Sequence, residues 1–175
     1  MGESGMRARL VIAGLAACLA LAPSHAKAPV DPRSAIAKRL TVDLRDDFTK
    51  HSQATIRAAI KPVDINSDGV QDWQVDWNAF GAAWCGTGGC RYQLWLGRRK
   101  AAPLLVFDRQ MRELDIQQRG ARTVFVFDFH GSECGGTGNI ACPGEFSWSA
   151  KRGRMVLLPT PGKHTSMSNP IDYGQ

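Results

Sequence analysis

The apolar period of this chain changes once along its length, and that change constrains the fold more than any other feature. Between residues 31 and 50, Ile36, Leu40, Leu44 and Phe48 recur every four positions, while Lys38, Arg39, Asp46, Asp47 and Lys50 lie mostly elsewhere. Such spacing holds the large apolar groups within one stripe of a helix. Asp31-Pro32 supplies the start, an N-cap acceptor followed by a proline whose missing N–H does no harm there. From Trp73 the period becomes two: Trp73, Val75, Trp77 and Ala79 point one way, Gln74, Asp76 and Asn78 the other, and Tyr92, Leu94 and Leu96 repeat the pattern. Further candidate strands cover 104–107, 111–117, 123–129, 145–150 and 155–158, each bounded by Gly, Pro or charged turn residues. Segment 123–129 is apolar on both parities, which predicts a central strand and makes it the candidate for the one the helix covers. The short connections favour antiparallel neighbours. The expectation is an α+β fold: an N-terminal amphipathic helix packed on an antiparallel meander of about six or seven strands.

The first residues stand outside that pattern. A short apolar run over 10–22 follows Arg7 and Arg9 and ends at Pro23 among small residues, the layout of a signal peptide. It is shorter than the roughly 18 residues that a permanent membrane span requires. Cleavage after Ala26 or after Ala28 fits equally, and Met6 is a second possible start. Leu15-Ala16-Ala17-Cys18 resembles a bacterial lipobox, in which Cys18 would carry lipid and tether the protein to an outer membrane; the competing reading is an ordinary cysteine in an apolar run. With residues 1–28 assigned to the signal peptide, 29–175 is one domain of about 147 residues, enough to bury its own core, with a loosely held tail from Pro159.

The remaining cysteines are Cys85, Cys90, Cys134 and Cys142, an even number that implies disulfides in an exported chain. Of three possible connectivities the two local pairs are preferred, Cys85 with Cys90 and Cys134 with Cys142, because each closes a glycine-rich loop. Four-cysteine zinc is the rival, but neither spacing matches a zinc knuckle. The net charge of +6 is concentrated in part at Arg98-Arg99-Lys100 and Lys151-Arg152-Arg154, which would favour a polyanionic envelope glycan. Nucleic acid is not an expected partner of an exported chain, and no transmembrane helix is expected in the mature one.

Where the period changes, the stretch DINSDGVQDW places side-chain oxygens at Asp64, Asn66, Asp68 and Asp72, with the Val70 carbonyl between the last two and Gly69 at the turn. Hard oxygen donors at alternating positions can curl around one calcium ion. An EF-hand would need a glutamate where Val75 stands. The stretch instead resembles the strand-flanked DxDxDGxxD loop of integrin-like FG-GAP repeats, with Asn66 replacing one aspartate; the alternative is a polar Asp-Gly hairpin turn. The resemblance implies a weak, structural calcium site.

Two loops remain, WCGTGGC and HGSECGGTGNIAC. Neither ends as a phosphate-binding P-loop does. His130 and Ser132 would support nucleophilic attack if they met in hydrogen-bond geometry, with Asp128 and Glu133 beside them, although the segment lacks a G-x-S-x-G elbow. Among the tryptophans Trp95 falls on the opposite parity to Tyr92 and Leu94, and an exposed Trp95 would be a binding residue. In order, the motifs DxNxDGxxD, CGxGGC and HGSxCG resemble those of small, largely uncharacterised bacterial exported proteins, which implies a periplasmic or secreted location and carries no activity. The functional expectation is therefore a non-catalytic binding or inhibitory module whose partner is a protein or an envelope glycan. The alternatives are a hydrolase centred on His130 and a lipid-anchored envelope component.

Overall fold

A computed structural model describes residues 31–45 and 50–159. Residues 1–30, 46–49 and 160–175, which include the expected signal peptide, Cys18, Phe48 and nearly all of the expected tail, lie outside the described residues. No described helix is long and apolar enough to cross a membrane.

The described chain is mostly β. Helix α1 (Pro32–Asp43) starts where Asp31 accepts the Arg33 N–H, and a second helix, α2 (Gln53–Ala59), is capped by Ser52. Nine strands follow: β1 (Ile60–Val63), β2 (Asp72–Asp76), β3 (Cys85–Gly86), β4 (Gly89–Leu96), β5 (Leu104–Met111), β6 (Glu113–Arg119), β7 (Arg122–His130), β8 (Ala141–Ser149) and β9 (Arg154–Leu157). They form two antiparallel sheets and not one meander. In the first, β4 is central: β5 lies along one edge, while β2 and the short β3 share the other, and β1 is outermost. Pro62 is tolerated in β1 because that strand pairs only with β2. The second sheet runs β6-β7-β8-β9.

Between the sheets lies one core, with Leu94, Leu96, Val106, Phe107 and Met111 facing Phe125, Phe127, Phe129, Phe146 and Met155. A second core lies on the other face of the first sheet, where Ile36, Leu40, Leu44, Ile56 and Ala59 cover Ile60, Val75, Trp77 and Trp95. Three expectations are corrected here. The helices cover the sheet of β4, not the strand at 123–129. Trp77 and Ala79 belong to a 3₁₀ turn (Trp77–Phe80), not to a strand. Trp95 is only 8% exposed, since both faces of β4 are covered and both residue parities are therefore buried.

The strand that joins the sheets is the feature that builds the site. Only Arg112 separates β5 from β6, so one extended segment leaves the first sheet and enters the second, and the Arg112 N–H donates to the Asp128 carbonyl across the bend. At this corner the connections of both sheets converge.

Candidate functional site

Two disulfides close the loops at the corner, Cys85 to Cys90 and Cys134 to Cys142. The first joins register partners on β3 and β4. Gly89 has a positive φ of 91°, and a Cβ there would lie 2.0 Å from the Met111 carbonyl oxygen, so only glycine lets this loop touch the bend. The Gln110 amide on β5 donates to the Gly89 carbonyl at 2.7 Å. The second loop packs equally closely. The His130 imidazole lies against Gly138, whose added Cβ would fall 2.4 Å from Nε2, and Arg112 donates to the Gly138 carbonyl. Asp128 accepts the Cys142 N–H at 2.6 Å and pairs with Arg112 at 3.6 Å.

Both loops thus open on the same side of the molecule. A groove of about 480 Å³ is lined by Trp84, Arg91, Asp108, Arg109 and Glu133 among others. It adjoins a hollow of about 230 Å³ lined by Thr87, Gly88, Gln110, His130, Ser132 and Glu133. The charges within are matched. Arg91 makes two hydrogen bonds to Asp108, at 2.6 and 2.5 Å, and Arg109 meets Glu133 at 2.9 Å. The buried Gln93 amide holds the Asp108 carboxylate from behind at 3.0 Å. The Arg91 guanidinium also lies 4.4 Å from the Trp77 ring centre, and Trp77 in turn is 4.5 Å from Trp84. Hydrogen bonding to Asp108 holds the Arg91 pKa above even its ordinary high value, so the guanidinium stays charged at any physiological pH.

The structure brings together His130 and Ser132, with Nδ1 of the imidazole 2.7 Å from the hydroxyl oxygen. Asp128 and Glu133 are engaged by Arg112 and Arg109. Trp95 lines neither hollow: it is buried under the helices, where its indole N–H donates to Gln93, the residue that holds Asp108 from behind. Trp84, Arg91, Asp108 and Gln110 were not singled out in the sequence. Only the alternation of Arg91 and Gln93 with apolar residues on β4 hinted at a polar row.

Asp64, Asn66, Asp68, Val70 and Asp72 fall on the β1–β2 hairpin, at the other end of the first sheet. Each polar side chain is used by the turn itself. Asp64 accepts the Ser67 N–H at 2.7 Å, Asn66 accepts from Asp68 at 3.2 Å, and Asp68 accepts from Val70 at 2.8 Å. Asp72 is fully buried, its two oxygens accepting the Ile65 and Gly97 N–H groups at 2.8 and 2.7 Å. Burial raises its pKa above the ordinary carboxylate range, the two amides oppose that, and Asp68 and Asp64 add to it. Among the described residues no three His, Cys, Asp or Glu side chains gather as a metal-holding group.

Comparison with family models, with curated proteins and with solved structures gave no match.

Proposed function

We propose that this chain is an exported, non-catalytic binding or inhibitory module with an α+β fold, and that its ligand is a neutral, hydroxyl-rich glycan segment of the envelope held in the corner groove. The carrying observation is the Arg91–Asp108 and Arg109–Glu133 pairing beside the half-buried Trp84. A groove whose charges are already matched has little to gain from an ionic ligand. It offers fixed donors and acceptors next to an aromatic face, the arrangement that suits sugar hydroxyls and the apolar face of a pyranose. The disulfides and close glycine contacts hold the groove in shape before binding, which lowers the ordering cost. Titration of the oxidised protein with an N-acetylglucosamine tetramer, followed by tryptophan fluorescence and amide NMR shifts, tests this reading. Saturable shifts at the corner, weakened at least about tenfold by Trp84→Ala or Asp108→Asn, are expected. No shift at millimolar sugar sinks the reading.

The β1–β2 hairpin is proposed as a weak calcium site that steadies the first sheet. Asp64, Asn66 and Asp68 with the Val70 carbonyl would hold the ion, and Asp72 would add only the lone pairs left by its two amide bonds. At about 1 mM free ion and a Kd of about 0.1 mM, linkage gives roughly 1.4 kcal/mol. Calcium should raise the Tm and Asp68→Ala should abolish the rise; identical melts in calcium and in chelator remove the proposal.

One contact favours a second reading. The 2.7 Å approach of Ser132 Oγ to His130 Nδ1 is nucleophile-to-base geometry. A hydrolase centred there would turn over p-nitrophenyl acetate and lose that turnover in His130→Ala. Absent turnover, or turnover that survives the substitution, excludes it.

A further inference from the structure

The two basic clusters, 54 residues apart in sequence at Arg98 and Arg152, reach the same end of the molecule. The β4–β5 turn carries Arg98, Arg99 and Lys100. It lies beside the β1–β2 turn, since the Gly97 N–H donates to Asp72. That turn in turn touches the β6–β7 turn, where the Ser67 hydroxyl donates to the Ala121 carbonyl at 3.3 Å. The register of β7 and β8 then places the β8–β9 turn, with Lys151 and Arg152, level with Arg122. Every one of these side chains is exposed.

These cations differ from most of those on the strands. Lys61, Arg91, Arg109, Arg112 and Arg119 each meet a carboxylate, whereas Arg98, Arg99, Lys100, Arg122, Lys151 and Arg152 form no ion pair among the described residues. The acidic side chains exposed on the same turns are Asp64 and Asp68, and both are tied into their own hairpin. Six unmatched cations against these two acids and the adjacent Asp31 leave this end net positive. It is also partly apolar. Ala101, Ala102 and Pro103 join Pro32 and Ala35 around a hollow of about 430 Å³, and Leu104 is 44% exposed beside it.

We infer that this end docks on an anionic lipid bilayer surface. Two observations favour a bilayer over a soluble polyanion. The cations are spread over three turns at one end of the sandwich instead of along a cleft. Exposed Leu104 and the alanines of the β4–β5 turn sit among them, where they can enter the headgroup layer. The corner groove lies at the far end of the β4–β5 hairpin, about 25 Å away for an eight-residue strand, and so faces away from the lipid.

The test is sedimentation of the oxidised protein, in chelator, with vesicles of phosphatidylcholine alone or with 30% phosphatidylglycerol. Binding that needs the anionic lipid and weakens steeply with salt is expected. Arg99→Gln/Lys100→Gln and Lys151→Gln/Arg152→Gln should each weaken it by roughly tenfold to thirtyfold. Lys38→Gln/Lys50→Gln, an equal charge change at exposed sites of the α-helical region, should change it less than threefold. Equal binding to neutral vesicles overturns the inference, as does equal loss in all three variants. Capture by immobilised heparin without vesicle binding would reassign the surface to a soluble polyanion. Failure of sugar binding at the corner would leave this result untouched.

Discussion

The two ends of the β4–β5 hairpin are built on opposite electrostatic terms. At the corner, Arg91, Arg109 and Arg112 each face a carboxylate and the backbone packs so closely that Gly89 admits no side chain. At the turn end, the cations project into solvent and the backbone is held from inside by one buried carboxylate, Asp72. A paired, rigid surface suits a ligand recognised by shape and hydrogen bonds. An unpaired surface with flexible side chains suits a diffuse field such as a bilayer presents. On the two proposals above, one hairpin would separate a specific site from a non-specific one.

The largest expected effect removes the internal anchor of the turn end. Asp72→Ala leaves two buried N–H groups, of Ile65 and Gly97, without acceptors, and should destabilise the fold by about 3 to 5 kcal/mol in urea denaturation while sparing corner amide shifts. If the corner shifts as much as the turn, the two ends are not independent. The pH dependence has a definite sign. Burial raises the folded-state pKa of Asp72 above its unfolded value, so its contribution is fullest below about pH 4 and is withdrawn as pH rises through the folded value. The stability gap between wild type and Asp72→Asn should accordingly narrow from pH 3 towards pH 7. A gap that widens reverses the assignment.

Next in size is the corner itself. Gly89→Ala forces a methyl group to 2.0 Å from the Met111 carbonyl oxygen at a backbone angle that L-residues seldom adopt, so the β3–β4 loop must lift off the bend. A loss of about 3 kcal/mol is expected, together with loss of groove ligand binding and unchanged vesicle binding. Unchanged stability would show that the loop yields easily, and the groove could no longer be treated as preformed.

Parts of this division were legible in the sequence and parts were not. The hairpin at Asp64–Asp72 and most strands announced themselves through alternation and turn residues. The faces were harder, because β4 is covered on both sides: Leu94 and Leu96 look into the sandwich while Gln93 and Trp95 look under the helices, so parity could not separate inside from outside. Helix α2 has only seven residues, too short for a period to show, and it runs directly into a strand containing Pro62. The bend at Arg112 carries neither glycine nor proline, and nothing local marks the place where one sheet becomes two. The groove residues followed suit. Arg91 and Asp108 pair across the β4–β5 hairpin, which the spacing of single residues does not reveal, and Arg109 meets Glu133 from a separate loop only once the corner forms.

The smallest expected effect sharpens the comparison at the point where the helices meet the basic turn. The Asp31 carboxylate accepts the Arg33 N–H at 3.1 Å and the Ser34 hydroxyl at 2.9 Å, and the Ser34 bond chiefly holds its pKa below the ordinary value. Asp31→Ala removes the cap of α1 and should cost about 1 kcal/mol or less, since the group is exposed and screened. The capping term is present above the unfolded pKa and is lost as pH falls through the folded one, opposite in sign to Asp72. The same substitution deletes a negative charge beside Pro32, which lines the hollow under Arg98–Lys100. It should therefore weaken folding slightly while strengthening attachment to anionic vesicles by about threefold. Those two readouts move in opposite directions only if the basic end acts through its field; a parallel loss of both would mean that α1 must stay capped for the surface to exist at all.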